Sequence, residues 1–237
     1  AAILAGGNPS LGVGLHFNLT SGTPVSRPDD VRSIVGGDSR LLSRHALIMR
    51  AVTGKLDRAH LLTELNAQLS RMRDLGIEPT HFDSHQHVHA LPMVFDVVSQ
   101  VAGSLAKPIR IPWRWSGHAG GKPLRRRINE SVLGFMVSRC VRSMPAGMAT
   151  NDGLCSVFDL NRAAADLSNA SYAELLAPYQ TGLIELMVHP ALADAELEGL
   201  TEITKVSAVE DVLLRSDFLR RHVTSRGGKM VSYRDAG

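Results

Sequence analysis

The chain carries the stretch Thr80-His81-Phe82-Asp83-Ser84-His85-Gln86-His87-Val88-His89, which holds four of its ten histidines. If this stretch is extended, its side chains alternate between two faces. One face then carries an aspartate and all four histidines: His81, Asp83, His85, His87 and His89. Neutral imidazole and carboxylate groups are good ligands for a divalent transition metal. The spacing is not HExxH, which excludes the helical zinc-protease arrangement. The stretch therefore predicts a functional site.

The bulk composition narrows the class of protein. The chain has 237 residues and is 44% hydrophobic, enough for a large core, and α/β barrels of this length are commonly one domain. Its formal charge of +3 favours neither nucleic acid nor a membrane surface as partner, and no apolar run is long enough to span a membrane. Cys140 and Cys155 fit no metal-binding spacing, so we expect a reducing, cytoplasmic compartment.

Hydrophobic periodicity predicts alternating strands and helices, which is typical of an α/β fold. The predicted strands are 12–19, the extended stretch around 80–84, 108–112, 182–190 and 229–233. The predicted helices with defined bounds are 41–52, 58–75, 92–106 and 122–143. Asp57 caps the second of these and Gly76 ends it. Two more helices are predicted from capping boxes, one that begins at Ser171 and one that runs from Ser207 to about Thr224.

Three of these strands end in polar side chains: His16, then Asp83 with His85, then His189. Catalytic groups of barrel-like α/β folds lie at the C-terminal ends of strands. Two imidazoles and a carboxylate are typical of a hydrolytic metal site, where a further histidine could protonate the leaving group. A single histidine such as His16 is more often structural than metal-binding. For His189, the spacing alone favours neither a structural role nor a role in the site.

The same stretches resemble the YdjC-like carbohydrate deacetylase family, which includes chitooligosaccharide deacetylases and hopanoid-biosynthesis deacetylases. The resemblance covers nearly the whole chain and is carried by residues 12–20, 79–89, 185–190 and 232–235. It implies a TIM-barrel-like (β/α) barrel, a divalent cation (Mg²⁺ or Zn²⁺) and hydrolysis of an N-acetyl group on an amino sugar. It is also compatible with a homodimer.

By motif position, the resemblance implies that His16 and His85 bind the metal and that His189 is the catalytic acid. Asp83 is expected to orient a metal ligand. Three further side chains are expected to line the pocket or hold substrate: His87, His89 and Arg110. For His87 and His89, hydrogen bonds to the backbone are the alternative.

One departure from the family concerns an Ala-Asp-Asp-Phe-Gly motif, whose aspartate ligates the metal. This sequence contains no such motif. We therefore expect residues 1–237 to form a single deacetylase-like domain that lacks the first strand or strands of the barrel, with weakened metal binding and impaired activity. Two alternatives stay open: a sugar-binding remnant that uses Trp113 and Trp115, and another metal-dependent hydrolase such as a phosphoesterase.

Overall fold

The computed structural model describes residues 2–112, 134–192 and 203–235. The tryptophan loop and the first part of the helix predicted from residue 122 lie outside these residues. The described chain divides into two compact units. The first contains residues 2–112, 134–150 and 231–235, and the second contains residues 151–192 and 203–230. Both combine helices with parallel strands, so the fold is a mixed α/β fold, and the barrel stays a prediction.

The first unit contains four helices and two short strands, besides a helical segment over residues 134–142. The helices are α1 (Ala2–Gly6), α2 (Arg44–Val52), α3 (Arg58–Asp74) and α4 (Pro92–Ser104), and the strands are β1 (Leu15–Phe17) and β2 (Phe82–Ser84). Three 3₁₀ segments complete it: Pro28–Val31, His85–Ala90 and Tyr233–Asp235.

Parallel pairing of β1 and β2 sets the position of the predicted site. The register places His16 opposite Asp83. Parallel bridges continue the sheet from Phe82 to Ile109 and from Ile109 to Thr150. In β1, Leu15 and Phe17 are buried while His16 between them is exposed, because side chains alternate along a strand. The strand predicted over 12–19 is therefore present but shorter than its hydrophobic pattern, whereas the segment predicted over 108–112 contributes only isolated bridges at Ile109.

Local signals define α3 as predicted. The Asp57 carboxylate accepts a hydrogen bond from the Ala59 backbone N–H at the helix start, and Gly76 takes a positive φ of 74° just after the end. Leu61, Leu65 and Leu69 are buried, but Glu64 is buried with them. The apolar face of α3 thus contains a carboxylate that the hydrophobic pattern did not predict.

The predicted alternation of the histidine-rich stretch fails after Ser84. The chain enters a 3₁₀ segment there, with positive φ angles of 53° at Gln86 and 56° at His87. Two successive left-handed residues break the extended conformation, so the later histidines do not lie on one strand face. His85, His87 and His89 consequently have three different surroundings.

The second unit has two parallel strands and three helices. The strands are β3 (Gly153–Cys155) and β4 (Ile184–Leu186), and the helices are α5 (Asn169–Leu176), α6 (Thr204–Leu214) and α7 (Phe218–Ser225). Two 3₁₀ segments follow β3, at Val157–Leu160 and Ala164–Asp166. Its core is formed by Cys155, Val157, Leu167, Tyr172, Leu175 and Leu219.

Three predictions for the later part of the chain are wrong in detail. Ser168, not Ser171, caps α5, and Ser171 is the reciprocal partner in that capping box. Ser207 lies inside α6, where it is buried, instead of opening a helix. The strand predicted over 229–233 is absent from the described residues, because the Asp235 carboxylate accepts the Ser232 backbone N–H at 2.9 Å and folds the segment into a turn.

Within the three described ranges, no helix combines the length and apolar character needed to cross a bilayer.

Candidate active site

The pairing of β1 with β2 joins His16 to Asp83. The Nδ1 atom of His16 lies 2.8 Å from Oδ1 of Asp83. An ionised carboxylate only accepts hydrogen bonds, so Nδ1 carries the proton and the Nε2 lone pair is left available for a ligand. The His16 side chain is 53% exposed and that of Asp83 only 7%. The buried carboxylate of Asp83 thus supports an imidazole ring of His16 that is exposed to solvent.

Arg110 binds the other oxygen of the same carboxylate, with Nη2 2.6 Å from Oδ2 of Asp83. Burial alone would raise the pKa of Asp83, but the hydrogen bond to His16 and the charge of Arg110 lower it to about 2. Asp83 is therefore ionised at neutral pH. Arg110 is itself buried, and its guanidinium supports Asp83. The substrate contact predicted for Arg110 stays a prediction.

His85 follows β2 directly and lies beside His16. The two ring centroids are 6.0 Å apart, with an interplanar angle of 66°. His85 Nδ1 lies 2.8 Å from the Thr20 hydroxyl. Burial, followed by the nearby charge of His16, lowers the pKa of His85. His85 is consequently neutral at physiological pH, which is the form that ligates metals.

The Nε2 atoms of both imidazoles are the ring nitrogens available to a ligand. No described hydrogen bond engages either Nε2 atom, since Asp83 and Thr20 bind the two Nδ1 atoms. On a tetrahedral ion with Zn–N bonds of about 2.1 Å, two such rings lie about 5.3 Å apart between centroids, so the observed 6.0 Å requires a small approach of the two rings before both bind one ion. The described part of the chain contains no group of three or more His, Cys, Asp or Glu side chains placed for a metal. Among the described residues, His16 and His85 therefore remain the candidate cation ligands.

His89 is completely buried and bonded to protein groups at both ring nitrogens. Its Nε2 donates to the Arg110 carbonyl at 2.8 Å, its Nδ1 lies 2.5 Å from the Ser84 hydroxyl, and its backbone N–H donates to that hydroxyl at 2.9 Å. His89 thus takes the backbone-bonding alternative. It braces the end of β2 against Arg110 and offers no ring nitrogen to a substrate.

His87 is partly exposed, but its Nδ1 atom is buried and has no hydrogen-bond partner within the described residues. Burial, followed by the charge of Arg110, lowers its pKa to about 3. A neutral imidazole with an unused nitrogen can line a pocket, so the pocket-lining prediction for His87 stays open.

His189 lies in the second unit, three residues after β4. Its backbone N–H donates to Oε2 of Glu210 at 2.7 Å, and its ring packs edge-to-face on Phe158 with centroids 5.7 Å apart. The Glu210 carboxylate is fully buried, and this burial raises its pKa despite the hydrogen bond from His189. The structure thus gives His189 a buried support from α6.

Two partners of the predicted histidines were missed from sequence. Thr20 comes directly after the predicted strand 12–19, at the kind of strand end that identified His16. Glu210 follows Ser207 by three residues, the spacing of a capping box, and this spacing gives no sign of its contact with His189. Both contacts join residues far apart in sequence, where periodicity carries no information.

Comparison with known proteins relates this geometry to a family. The family model described as YdjC-like protein matches residues 1–224. A carbohydrate deacetylase from Geobacillus stearothermophilus is 31% identical, over 99% of this chain and 80% of its own length. A chitooligosaccharide deacetylase from Yersinia enterocolitica is 30% identical, over 99% and 82%. A carbohydrate deacetylase from Brevibacillus brevis is 29% identical over the same shares.

The fold is also similar to that of a solved structure. It is a proposed cellobiose-phosphate cleavage protein from Enterococcus faecalis, with a TM-score of 0.74 and 20% identity, covering 99% of this chain and 81% of that one. At this identity the likeness concerns the fold alone. The family match spans nearly the whole sequence and includes every residue of the site described above. The chain therefore belongs to the family of YdjC-like proteins.

Proposed function

We propose that this protein is a carbohydrate deacetylase that hydrolyses the N-acetyl group of an amino sugar and releases acetate with the help of a divalent cation. The coarser part, deacetylation of a carbohydrate, is supported by the names of relatives that match 99% of this chain. The finer part is carried by one observation: His16 and His85 lie side by side with both Nδ1 atoms engaged and both Nε2 atoms available.

In this proposal His16 and His85 hold the cation, which is Mg²⁺ or Zn²⁺. A divalent cation bound there would supply Lewis-acid chemistry: it would polarise the amide carbonyl and lower the pKa of a water molecule to near neutrality. Asp83 accepts the Nδ1 proton of His16 and so presents Nε2 in the ligand tautomer. Arg110 keeps Asp83 ionised and in place. The Thr20 hydroxyl fixes the ring of His85 in the corresponding way.

The remaining step is protonation of the leaving amine nitrogen, for which we propose His189. Its backbone is anchored by Glu210 and its ring by Phe158, so the imidazole has a defined orientation. A histidine is suited to this step because its pKa lies near the working pH. His87 is left as a pocket-lining residue.

Two imidazoles are one ligand short of the three protein ligands usual in catalytic zinc sites. We therefore expect weaker cation binding than in a three-ligand site, and activity that depends strongly on added metal. Such dependence distinguishes this proposal from a sugar-binding protein without turnover, which would bind the oligosaccharide whether or not metal is added.

The experiment is hydrolysis of N-acetylglucosamine di- and trisaccharides by metal-stripped protein, with and without added Mg²⁺ or Zn²⁺. Acetate and free amine should form in equal amounts and only with metal. The variant His85→Ala should lower the rate by more than about 100-fold, whereas His45→Ala, at an exposed position on α2, should not. Metal-independent rates, or turnover of p-nitrophenyl phosphate in place of the acetylated sugar, would contradict the proposal.

A further inference from the structure

We infer that Glu64 and Gln68, on the buried side of α3, are positioning residues that set the orientation of His85 through Thr20. This inference rests on the proposed function, because it concerns the metal-facing orientation of a proposed ligand. No described hydrogen bond joins either residue to His85. They act on the segment of residues 18–26, called here the β1 loop, which leaves the end of β1 and carries Thr20.

Gln68 holds the first residue of the β1 loop from both sides. Its side-chain Oε1 accepts the Asn18 backbone N–H at 3.0 Å, and its Nε2 donates to the Asn18 carbonyl at 2.7 Å. This double contact imitates the pairing of a neighbouring strand and fixes the position and direction of the backbone. The point where the chain leaves β1 is thus determined by one side chain of α3.

Glu64 holds the far end of the same loop. Its carboxylate is fully buried and accepts the Val25 and Ser26 backbone N–H groups, each at 2.9 Å, one on each oxygen. The Nε2 atom of Gln68 also donates to Oε1 of Glu64 at 2.8 Å, which joins the two clamps. A buried carboxylate is costly unless it is hydrogen-bonded, so these contacts must form for α3 to pack as it does.

Between the two clamps, Asn18 shapes the turn that carries Thr20. Its Oδ1 accepts the Thr20 backbone N–H at 3.1 Å, and its Nδ2 donates to the Ser21 carbonyl at 2.7 Å. An asparagine that bonds the backbone two and three residues ahead closes a tight turn. Thr20 is therefore held at its backbone, and its hydroxyl is directed at His85 Nδ1, 2.8 Å away.

The consequence concerns the ligand tautomer of His85. A histidine that ligates through Nε2 carries its proton on Nδ1, and the Thr20 hydroxyl oxygen is placed to accept it. Asp83 accepts the Nδ1 proton of His16, whereas His85 has no hydrogen bond to a carboxylate among those found in the described residues. Its orientation depends on a neutral hydroxyl in a loop, and a loop needs external support to hold a fixed geometry. Glu64 and Gln68 provide that support.

The test is the affinity for Zn²⁺, measured by competition with a chromophoric chelator. Thr20→Val, which removes the hydroxyl but keeps the shape, should weaken binding about 10- to 100-fold. Thr20→Ser keeps a hydroxyl and should restore most of the affinity. Gln68→Met should weaken binding several-fold. Gln100→Met, at an exposed position on α4, is the matched control and should leave the affinity unchanged.

The double variant decides whether Gln68 acts through Thr20. If it does, Thr20→Val with Gln68→Met should bind Zn²⁺ no more weakly than Thr20→Val alone. Additive losses, an unchanged affinity in Gln68→Met, or a wild-type protein that binds no Zn²⁺ would each overturn the inference. A protein that binds Zn²⁺ with this pattern but releases no acetate would instead contradict the proposed function and leave the positioning role intact.

Discussion

Acidification should destabilise the fold through His89, the buried histidine that braces the end of β2. The perturbation is a change of pH between 7 and 5, compared between the wild type and His89→Gln. Burial lowers the pKa of His89 to about 4; the hydrogen bond to the Arg110 carbonyl opposes this shift and the Arg110 charge adds to it. The Asp83 charge also opposes the shift, but it does not offset burial.

The sign and size of the effect follow from proton linkage. The unfolded chain binds a proton at the ordinary histidine pKa of 6.5, whereas the folded protein resists protonation until about 4. Between these two pH values the unfolded state binds more protons than the folded state. The contribution of neutral His89 to the free energy of unfolding is therefore fully present above pH 6.5 and is lost as the pH falls. Each pKa unit corresponds to about 1.4 kcal/mol, which gives about 2 kcal/mol by pH 5 and about 3 kcal/mol in full.

The assay is urea denaturation at several pH values, followed by circular dichroism. The difference in unfolding free energy between wild type and His89→Gln should change by about 2 kcal/mol from pH 7 to pH 5. Other titrating groups are common to both proteins and cancel in the difference. His45→Gln, at an exposed histidine, should follow the wild type. Parallel pH profiles for wild type and His89→Gln would refute the reasoning.

Three further predictions concern residues that support the histidines of the candidate site. Gln86→Val should destabilise the protein by about 1–2 kcal/mol, because a β-branched side chain opposes the φ of 53° there, whereas Gln86→Asn should be tolerated; thermal unfolding of the two variants measures this. Glu210→Ala should cost about 2 kcal/mol in urea denaturation, because it removes the carboxylate that binds the His189 backbone N–H, and Glu210→Gln should cost less. Asp83→Asn should weaken Zn²⁺ binding by about 10- to 100-fold in chelator competition, because an amide at this position no longer selects the ligand tautomer of His16. An unchanged Zn²⁺ affinity would show that the carboxylate does not orient the ring.

The helix α3 and the grouping of polar side chains at the ends of β1 and β2 could be predicted from sequence because their signals are local. Asp57 and Gly76 mark the ends of α3 within one stretch of chain. Polar residues at the ends of β1 and β2 meet because parallel strands share an edge. These inferences need only local patterns and one general property of parallel sheets.

The path of the chain after Ser84 could not be predicted in the same way. Gln86 and His87 adopt left-handed backbone angles that usually select glycine or asparagine, so their residue types give no warning. Tertiary contacts impose this conformation, among them the three hydrogen bonds of His89. For the same reason an alternating pattern in sequence became three unlike histidine environments in space.

Long-range contacts explain the other misses. Glu64 and Gln68 have no motif of their own, because they act on a loop about 40 to 50 residues earlier in the chain. Ser207 and Glu210 have the spacing of a capping box, but both are buried inside α6. Spacing alone cannot distinguish a cap from a helical face, since both place two polar residues three positions apart.

The most direct test of the account is X-ray absorption at the zinc edge of the Zn²⁺-loaded protein, which counts imidazole ligands. The wild type should show two, His85→Ala should show one, and His45→Ala should match the wild type. An imidazole count that is the same in wild type and His85→Ala, or a wild-type spectrum without imidazole ligation, would contradict the claim that His16 and His85 form the metal centre.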